Sequence, residues 1–210
     1  MNVLVTGANG QLGTALRTIS ESFDAIRLYF TDVDTLDILD KPAVESYIRS
    51  SGIDVVVNCA AYTAVDKAED DAELCMRINR DAVRNIGEVA ALSGIKVIHV
   101  STDYVFDGKG ARPYREDDTT NPSSVYGRSK LAGEQALMAV CPDAVIIRTA
   151  WLYSETGANF VKTMLRLGTE RDVVNVVADQ QGTPTYAGDL AEAIMKVLVS
   201  DRFVPGIYHY

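Results

Sequence analysis

The sequence has few of the residues that define disulfide-rich, zinc-binding or nucleic-acid-binding proteins. Its 210 residues include only three cysteines, Cys59, Cys75 and Cys141, with no C-x-x-C pair and no histidine at ligand spacing, which argues against a disulfide framework and a zinc site. The 20 Lys and Arg residues are outnumbered by 29 Asp and Glu residues, so there is no basic surplus to bind nucleic acid or an anionic membrane surface. Small molecules remain as the expected ligands.

Long apolar segments are also missing. No run approaches the ~18 residues that a membrane helix requires. Met1 leads straight into a strand-like segment, without the charged and apolar leader of a secreted protein. We therefore expect a cytoplasmic protein that has no membrane partner.

Short β-branched runs alternate with longer segments of helical period. The runs are Val3 to Val5, Ala25 to Phe30, Val55 to Val57, Val97 to Val100 and Val145 to Ile147. The helical segments are Gln11 to Ser20, Asp70 to Ser93, Ser123 to Val140, Asn159 to Leu167 and Ala187 to Val199. Continuous apolar strands are typical of parallel sheets covered on both faces, so the pattern predicts an α/β fold with a doubly wound sheet. We expect the sheet domain over residues 1–150 and the start of a second lobe over residues 151–210.

A glycine pattern directly follows the first predicted strand. Gly7, Gly10 and Gly13 form G-x-x-G-x-x-G at a strand–turn–helix junction. Glycines at such a junction let the backbone turn sharply and approach a pyrophosphate, whose charge is stabilised by the amides at the positive end of the helix. The position of the pattern predicts a Rossmann-type dinucleotide site.

Asp32 lies 19 residues after Gly13, at the expected end of the second strand. A carboxylate there accepts hydrogen bonds from the adenosine ribose and repels a 2′-phosphate, which favours NAD over NADP. The alternative is a solvated loop acid, since Asp34, Asp37 and Asp40 are close in sequence. The preference between the two cofactors stays open.

Tyr126 and Lys130 are four residues apart on a predicted helix and hence share one face. A nearby ammonium group lowers the pKa of a phenol toward the range useful for proton transfer. Ser101 and Thr102 end a parallel strand, where ligands of open α/β sheets bind, and a hydroxyl there could polarise a carbonyl group. The alternatives are a surface ion pair and ordinary turn chemistry.

Together these motifs resemble the extended short-chain dehydrogenase/reductase superfamily and, within it, the dTDP-4-dehydrorhamnose reductases. Longer blocks that carry this resemblance are Ala60 to Glu69, Ser101 to Phe106, Val125 to Glu134, Arg148 to Trp151, Asn159 to Met164 and Asp179 to Thr185. The resemblance implies reduction of the C4 ketone of dTDP-4-dehydro-L-rhamnose to dTDP-L-rhamnose by NADPH or NADH, a step that supplies a polysaccharide precursor.

The resemblance also implies roles for individual residues. Thr102 would polarise the ketone, Tyr126 would protonate its oxygen, and Lys130 would hold the nicotinamide ribose. The implied sugar contacts are Thr102, Asp103, Tyr104 and Trp151. Besides Tyr126 and Lys130, the implied cofactor contacts are Gly7, Gly10, Gln11, Leu12, Gly13, Asp32, Asp37, Ile38, Ala60, Ala61 and Thr63.

Two departures from the family pattern stand out. Members usually continue for several dozen residues beyond a strand like Gly206 to Tyr210, so the substrate lobe is expected to be incomplete. Some members form a homodimer with magnesium bound by acids near the first helix. Here Ala15 stands where an acid is expected, so the residues do not favour that metal site.

Other functions are compatible with the same fold. A nucleotide-sugar dehydratase or epimerase is one, although dehydratases resemble one another in an Asp-Glu pair after the catalytic Thr, and Thr102-Asp103 is followed here by Tyr104. A non-catalytic regulatory subunit similar to the β subunit of methionine adenosyltransferase is another. The presence of Thr102, Tyr126 and Lys130 favours an enzyme.

Overall fold

A computed structural model describes all residues from 1 to 210 and contains a six-stranded parallel sheet. Its strands are β1 Asn2–Thr6, β2 Arg27–Phe30, β3 Val55–Asn58, β4 Lys96–Thr102, β5 Val145–Thr149 and β8 Gly206–His209. The spatial order is β2-β1-β3-β4-β5-β8. The predicted α/β fold with a Rossmann-type sheet is therefore confirmed. The order reverses between β1 and β3, which is where open sheets of this kind bind ligands.

Helices cover both faces of this sheet. They are α1 Gln11–Ile19, α2 Lys41–Ser51, α3 Val65–Ala68, α4 Ala72–Met76, α5 Ala82–Ser93, α6 Val125–Val140, α7 Phe160–Glu170 and α8 Ala187–Val199. Short 3₁₀ turns cover Ser20–Ser22 and Asp103–Val105. One buried apolar cluster lies between the sheet and helices α2, α5 and α6, and a second lies between the sheet and helices α1 and α8. The strands are buried on both faces, as continuous apolar runs predict.

The segment predicted as one helix from Asp70 to Ser93 is interrupted. A π-helical turn over Arg77–Asp81 separates α4 from α5. In this turn the backbone of Asn79 lies against Gly133 of α6. This wider turn brings the backbones of two helices into contact. The spacing of hydrophobic residues in the sequence does not predict such a turn.

Helix α2 was absent from the sequence prediction, although its signals are present. The Asp40 carboxylate accepts the Ala43 amide at 3.0 Å, Pro42 lies in the first turn, and Gly52 ends the helix in the left-handed conformation. A cap of this kind contributes about 1 kcal/mol. The acidic run before it resembles a solvated loop, which hides the helix start.

The last 60 residues contribute to both parts of the molecule. Strand β8 pairs with β5 in the main sheet, and α8 packs beside α1 in the helical layer that covers this sheet, although both follow residue 150. The intervening chain forms α7 and a two-stranded sheet of β6 Leu152–Tyr153 and β7 Thr185–Tyr186. The apolar side chains of Phe160, Val161 and Leu165 on α7 are exposed.

None of the helices combines the length and the apolar character needed to cross a membrane. The three cysteines are unpaired. No group of three or more His, Cys, Asp or Glu side chains is placed to hold a metal ion.

Candidate active site

A cleft of about 890 Å³ lies at the carboxyl ends of β1, β3, β4 and β5. Every residue that the sequence singled out for catalysis, cofactor or substrate lines this cleft. The structure therefore brings together side chains from opposite ends of the sequence. Their individual roles stay predictions.

The turn between β1 and α1 requires glycine at two positions. Gly7 has a positive φ of 63°, and a Cβ there would lie 2.6 Å from the Ala60 amide nitrogen. A Cβ on Gly13 would lie 2.5 Å from the Ala8 Cα. Gly10 caps the helix without any side-chain hydrogen bond, so the first amides of α1 are free for an anion. This geometry fits a pyrophosphate.

The Gln11 side chain is hydrogen-bonded to the segment that precedes α7. Its Oε1 accepts hydrogen bonds from Asn159 Nδ2 at 2.9 Å and Ser154 Oγ at 3.1 Å, and its Nε2 donates to the Leu152 carbonyl at 3.3 Å. A Cβ on Gly157 would lie 3.0 Å from Gln11 Cγ. The backbone of Gln11 is thus available to the cleft, while its amide group ties the glycine turn to the segment around α7.

Both predicted acidic contacts also stabilise local loops. The Asp32 carboxylate accepts the amides of Asn9 at 2.8 Å and Val33 at 2.9 Å, and so joins the glycine turn to the end of β2. Asp37 Oδ1 accepts the Leu39 amide at 2.9 Å beside the buried Ile38. Asp32 can therefore stabilise the loop and still accept a hydrogen bond from a ribose, since a carboxylate accepts more than two hydrogen bonds.

The loop after β3 is held by a buried polar row. Asn58 Oδ1 accepts the Thr6 hydroxyl at 2.6 Å and the Ala60 amide at 3.2 Å, and its Nδ2 lies 3.0 Å from His99 Nδ1. Because Nδ2 can only donate, His99 Nδ1 is the acceptor and its proton is on Nε2. Burial holds the pKa of His99 well below its usual range, so the ring is neutral.

Asn79 holds the next part of the same loop. Its Oδ1 accepts the Tyr62 amide at 2.8 Å, and its Nδ2 donates to the Tyr62 carbonyl at 3.0 Å. The π-helical turn places this side chain toward the loop that carries Ala60, Ala61 and Thr63. An irregular helical turn thus positions one wall of the cleft.

Thr102 and Tyr126 approach the centre of the cleft from different elements. Thr102 ends β4, where it accepts the Tyr104 amide at 3.2 Å and donates to Asp103 Oδ1 at 3.1 Å. Tyr126 lies in the first turn of α6, which is capped by Ser124, and the Tyr104 ring meets its edge with centroids 5.5 Å apart. Burial raises the pKa of the Asp103 carboxyl.

The expected lowering of the Tyr126 pKa is not present in this geometry. Burial raises the pKa of Tyr126 to about 12, and a hydrogen bond with Thr102 opposes the rise. The ammonium of Lys130 is directed to the sheet instead, where Nζ donates to the Val100 carbonyl at 2.7 Å. The phenol is consequently neutral at ordinary pH, which is the form that donates a proton.

Lys130 is itself almost fully buried, with 2% of its surface exposed. Burial lowers its pKa to about 8, while the negative charge of Glu134 opposes that effect. Lys130 is therefore an amine whose charge depends on pH within the working range of most enzymes.

Trp151 has an unusual backbone at the mouth of the cleft. Its φ of 47° is the one positive value among residues other than glycine. A Cβ on Gly182 would lie 2.7 Å from the indole ring, and 43% of Trp151 is exposed. Bulky residues rarely adopt this conformation outside sites where the surroundings impose it, so this tryptophan is a wall of the cleft and not core.

Comparison with known proteins agrees with this geometry. The family model described as RmlD substrate binding domain matches residues 1–210. A dTDP-4-dehydrorhamnose reductase of Sinorhizobium fredii is 45% identical over 100% of this chain and 72% of its own length. The chain belongs to the dTDP-4-dehydrorhamnose reductase family.

Two solved structures of dTDP-4-dehydrorhamnose reductases have the same fold as this chain. A dTDP-4-dehydrorhamnose reductase of Clostridium acetobutylicum superposes with a TM-score of 0.94 at 43% identity, covering 100% of this chain and 74% of that one. The enzyme of Bacillus anthracis, solved in complex with NADP, gives a TM-score of 0.93 at 41% identity, with coverages of 100% and 73%.

In this member of the dTDP-4-dehydrorhamnose reductase family, several supporting residues escaped sequence reasoning. Asn79 and Glu134 contact the site through other residues, whereas Asn159 lines the cleft itself, and none of the three was given a role from the sequence. A polar residue at the end of an apolar strand, such as Asn58 after Val55 to Val57, is a usable signal of a buried polar contact, but these three residues lie in helices or at a helix start and carry no such signal.

The tie between the glycine turn and the α7 segment predicts a split effect for Gln11→Ala. We expect NADPH to bind with nearly unchanged Kd, because the turn offers its backbone, while KM for the sugar nucleotide rises roughly tenfold through the loss of three hydrogen bonds. Equilibrium titration and steady-state kinetics measure the two quantities. Gln180→Ala is the control for loss of an amide elsewhere in the chain. A weaker Kd with unchanged KM would contradict the tie.

Proposed function

We propose that this protein reduces the C4 ketone of dTDP-4-dehydro-L-rhamnose to dTDP-L-rhamnose with NADPH or NADH. The observation that carries the proposal is the convergence of Thr102, Tyr126 and Lys130 with an uncapped glycine turn in one cleft. The relatives named above favour this reaction over the epimerase and regulatory-subunit alternatives. The product is a precursor for polysaccharide synthesis.

The residues present fit a dinucleotide. The free amides at the start of α1 would hold the pyrophosphate, with Gly7, Gly10, Gln11, Leu12 and Gly13 forming that wall. Asp32, Asp37 and Ile38 would border the adenosine half, and Ala60, Ala61 and Thr63 the path to the nicotinamide. A reduced nicotinamide, when bound, supplies the hydride.

The polar side chains of the cleft would transfer a proton to the ketone oxygen. Thr102 would donate a hydrogen bond that polarises the ketone, and the neutral phenol of Tyr126 would transfer its proton to the same oxygen. The charged form of Lys130 would favour the phenolate that remains. Ser101 is a poorer candidate for polarising the ketone, because its hydroxyl is donated at 2.5 Å to the buried carboxylate of Glu134, whereas Thr102 donates at 3.1 Å to its neighbour Asp103 within the cleft and would exchange that bond for one to the ketone.

The sugar would lie between β4 and the segment after residue 150. Asp103, Tyr104 and Trp151 line that side of the cleft. We therefore assign residues 1–150 to NAD(P) binding and the start of the substrate lobe to residues 151–210, with α8 and β8 completing the sheet. A deoxysugar presents an apolar face that suits the exposed indole.

We also propose a cytoplasmic location, and a homodimer is the oligomeric state to test, one that would not use the magnesium site of some family members because Ala15 replaces an acid there. Three unpaired cysteines suit a reducing compartment. Light scattering of the purified chain tests the dimer.

The decisive assay is oxidation of NADPH and NADH by this chain with dTDP-4-dehydro-L-rhamnose. We expect absorbance of the reduced cofactor to fall only when the ketone is present, and dTDP-L-rhamnose to form in equal amount. dTDP-glucose is the matched control, since it lacks the ketone. Cofactor binding without oxidation would overturn the reductase function, and absence of binding would also overturn the dinucleotide site.

A further inference from the structure

One turn beyond Lys130, Glu134 of α6 forms a buried ion pair with Arg148 of β5. Glu134 Oε2 accepts Arg148 Nη2 at 2.7 Å, and Oε1 accepts Arg148 Nε at 2.9 Å. The side chains are only 2% and 4% exposed. This two-point contact joins α6 to β5 in the interior of the molecule.

The same carboxylate also contacts β4 next to the proposed catalytic threonine. Ser101 Oγ donates to Glu134 Oε1 at 2.5 Å, and Ser101 directly precedes Thr102. One residue earlier, the Val100 carbonyl accepts Lys130 Nζ. Two successive residues of β4 are thus bound to two successive turns of α6, the helix that also carries Tyr126.

Arg148 makes further contacts beyond its ion pair with Glu134. Arg148 Nη1 also donates to the Glu116 carbonyl at 3.3 Å, and the guanidinium lies 5.1 Å from the centre of the Phe106 ring. A buried ion pair seldom stabilises a fold more than apolar residues of similar volume would. Unlike an apolar contact, this ion pair and its hydrogen bond to Ser101 fix the distance between the end of β4 and α6.

We propose that Glu134 is a positioning residue for the reduction: it fixes Thr102 at the end of β4 relative to Tyr126 and Lys130, and it holds a negative charge beside the Lys130 ammonium. The inference rests on the proposed function. It adds that catalysis depends on a residue that does not line the cleft.

The charge part of the proposal predicts a change in pH dependence. The titratable groups around Lys130 are Glu134 from α6, Cys75 from α4, His99 from β4 and Cys59 from the loop after β3, with Arg148 from β5 behind Glu134. Burial lowers the pKa of Lys130 to about 8, a value that already includes the opposing, upward effect of the Glu134 charge. Removing the negative charge lowers this pKa further, so the charged amine is lost at lower pH.

The experiment measures kcat against pH, and the Kd of NADPH, for four forms of the whole chain. Glu134→Gln keeps an oxygen acceptor and removes the charge. Ser101→Ala keeps the ion pair and removes its tie to β4. Glu45→Gln makes the same chemical change in the exposed Arg49 pair on α2. The fourth form is the unchanged chain.

We expect Glu134→Gln to move the alkaline fall of kcat to lower pH. We expect Ser101→Ala to lower kcat roughly tenfold, the scale of a sub-ångström misplacement, with little change in Kd. Glu45→Gln should behave as the unchanged chain. Thermal unfolding shows which variants fold, and if Glu134→Gln does not, Ser101→Ala decides.

An unshifted profile for folded Glu134→Gln, or an unchanged kcat for Ser101→Ala, overturns the positioning role and leaves the proposed function intact. Equal losses of kcat in Glu45→Gln also overturn it, because the effect is then not specific to the buried cluster. Failure of the unchanged chain to oxidise NADPH with the ketone overturns the proposed function, and this inference with it.

Discussion

Replacing Tyr126 with phenylalanine is expected to lower kcat by a factor of ~10²–10⁴ while NADPH still binds, because the variant keeps the ring and loses the proton donor. The phenol is buried beside Thr102, and burial raises its pKa to about 12, so it is the neutral acid at working pH. Single-turnover oxidation of NADPH measures the chemical step, and fluorescence titration measures cofactor binding.

Tyr47→Phe on α2 is the matched control, since the Tyr47 side chain packs against the core away from the cleft. It should retain full turnover. If Tyr126→Phe turned over at the rate of the unchanged chain, Tyr126 would not be the proton donor. If it lost NADPH binding as well, the residue would be acting on the shape of the cleft.

Gly133→Ala is expected to give the largest loss of stability among small substitutions in α6. A Cβ there would collide with the backbone carbonyl oxygen of Asn79, which cannot move freely because its side chain is bonded to Tyr62 and Ser129. Overpacking of this kind costs about 1–3 kcal/mol or more, hence a fall in Tm of roughly 3–10 °C. Calorimetry of the purified chain measures it.

Gly168→Ala on α7 is the control, because a Cβ there meets nothing within 4 Å. That variant should be unchanged or gain about 0.5–1 kcal/mol from improved helix propensity. An unaltered Tm in Gly133→Ala would mean that the π-helical turn can relax into a regular helix without cost.

Much of the sheet could be predicted because its signal is local. Buried parallel strands are continuous apolar runs, and the glycine turn follows β1 at a fixed spacing. Gly206 to Tyr210 was recognised as a strand, but its place in the main sheet was not predicted, because the strand is short and only half-buried and its position is set by pairing with β5. Long-range pairing leaves little trace in a single segment.

In the candidate site, too, features set by local sequence could be predicted and features set by distant contacts could not. Tyr126 and Lys130 could be predicted because helical spacing puts them on one face. The side-chain direction of Gln11 could not, since its partners lie more than 140 residues away. The raised pKa of Tyr126 was also unpredictable, because it depends on burial and on the Lys130 ammonium being directed to Val100.

Trp151 is the one tryptophan in the chain, and it stands at the mouth of the cleft. When this indole is excited selectively, its emission therefore reports on that cleft and on no other part of the molecule. Reduced nicotinamide absorbs light where tryptophan emits, so a bound dinucleotide near the ring would quench it by energy transfer. The protein thus carries an intrinsic optical probe of ligand binding and requires no added label.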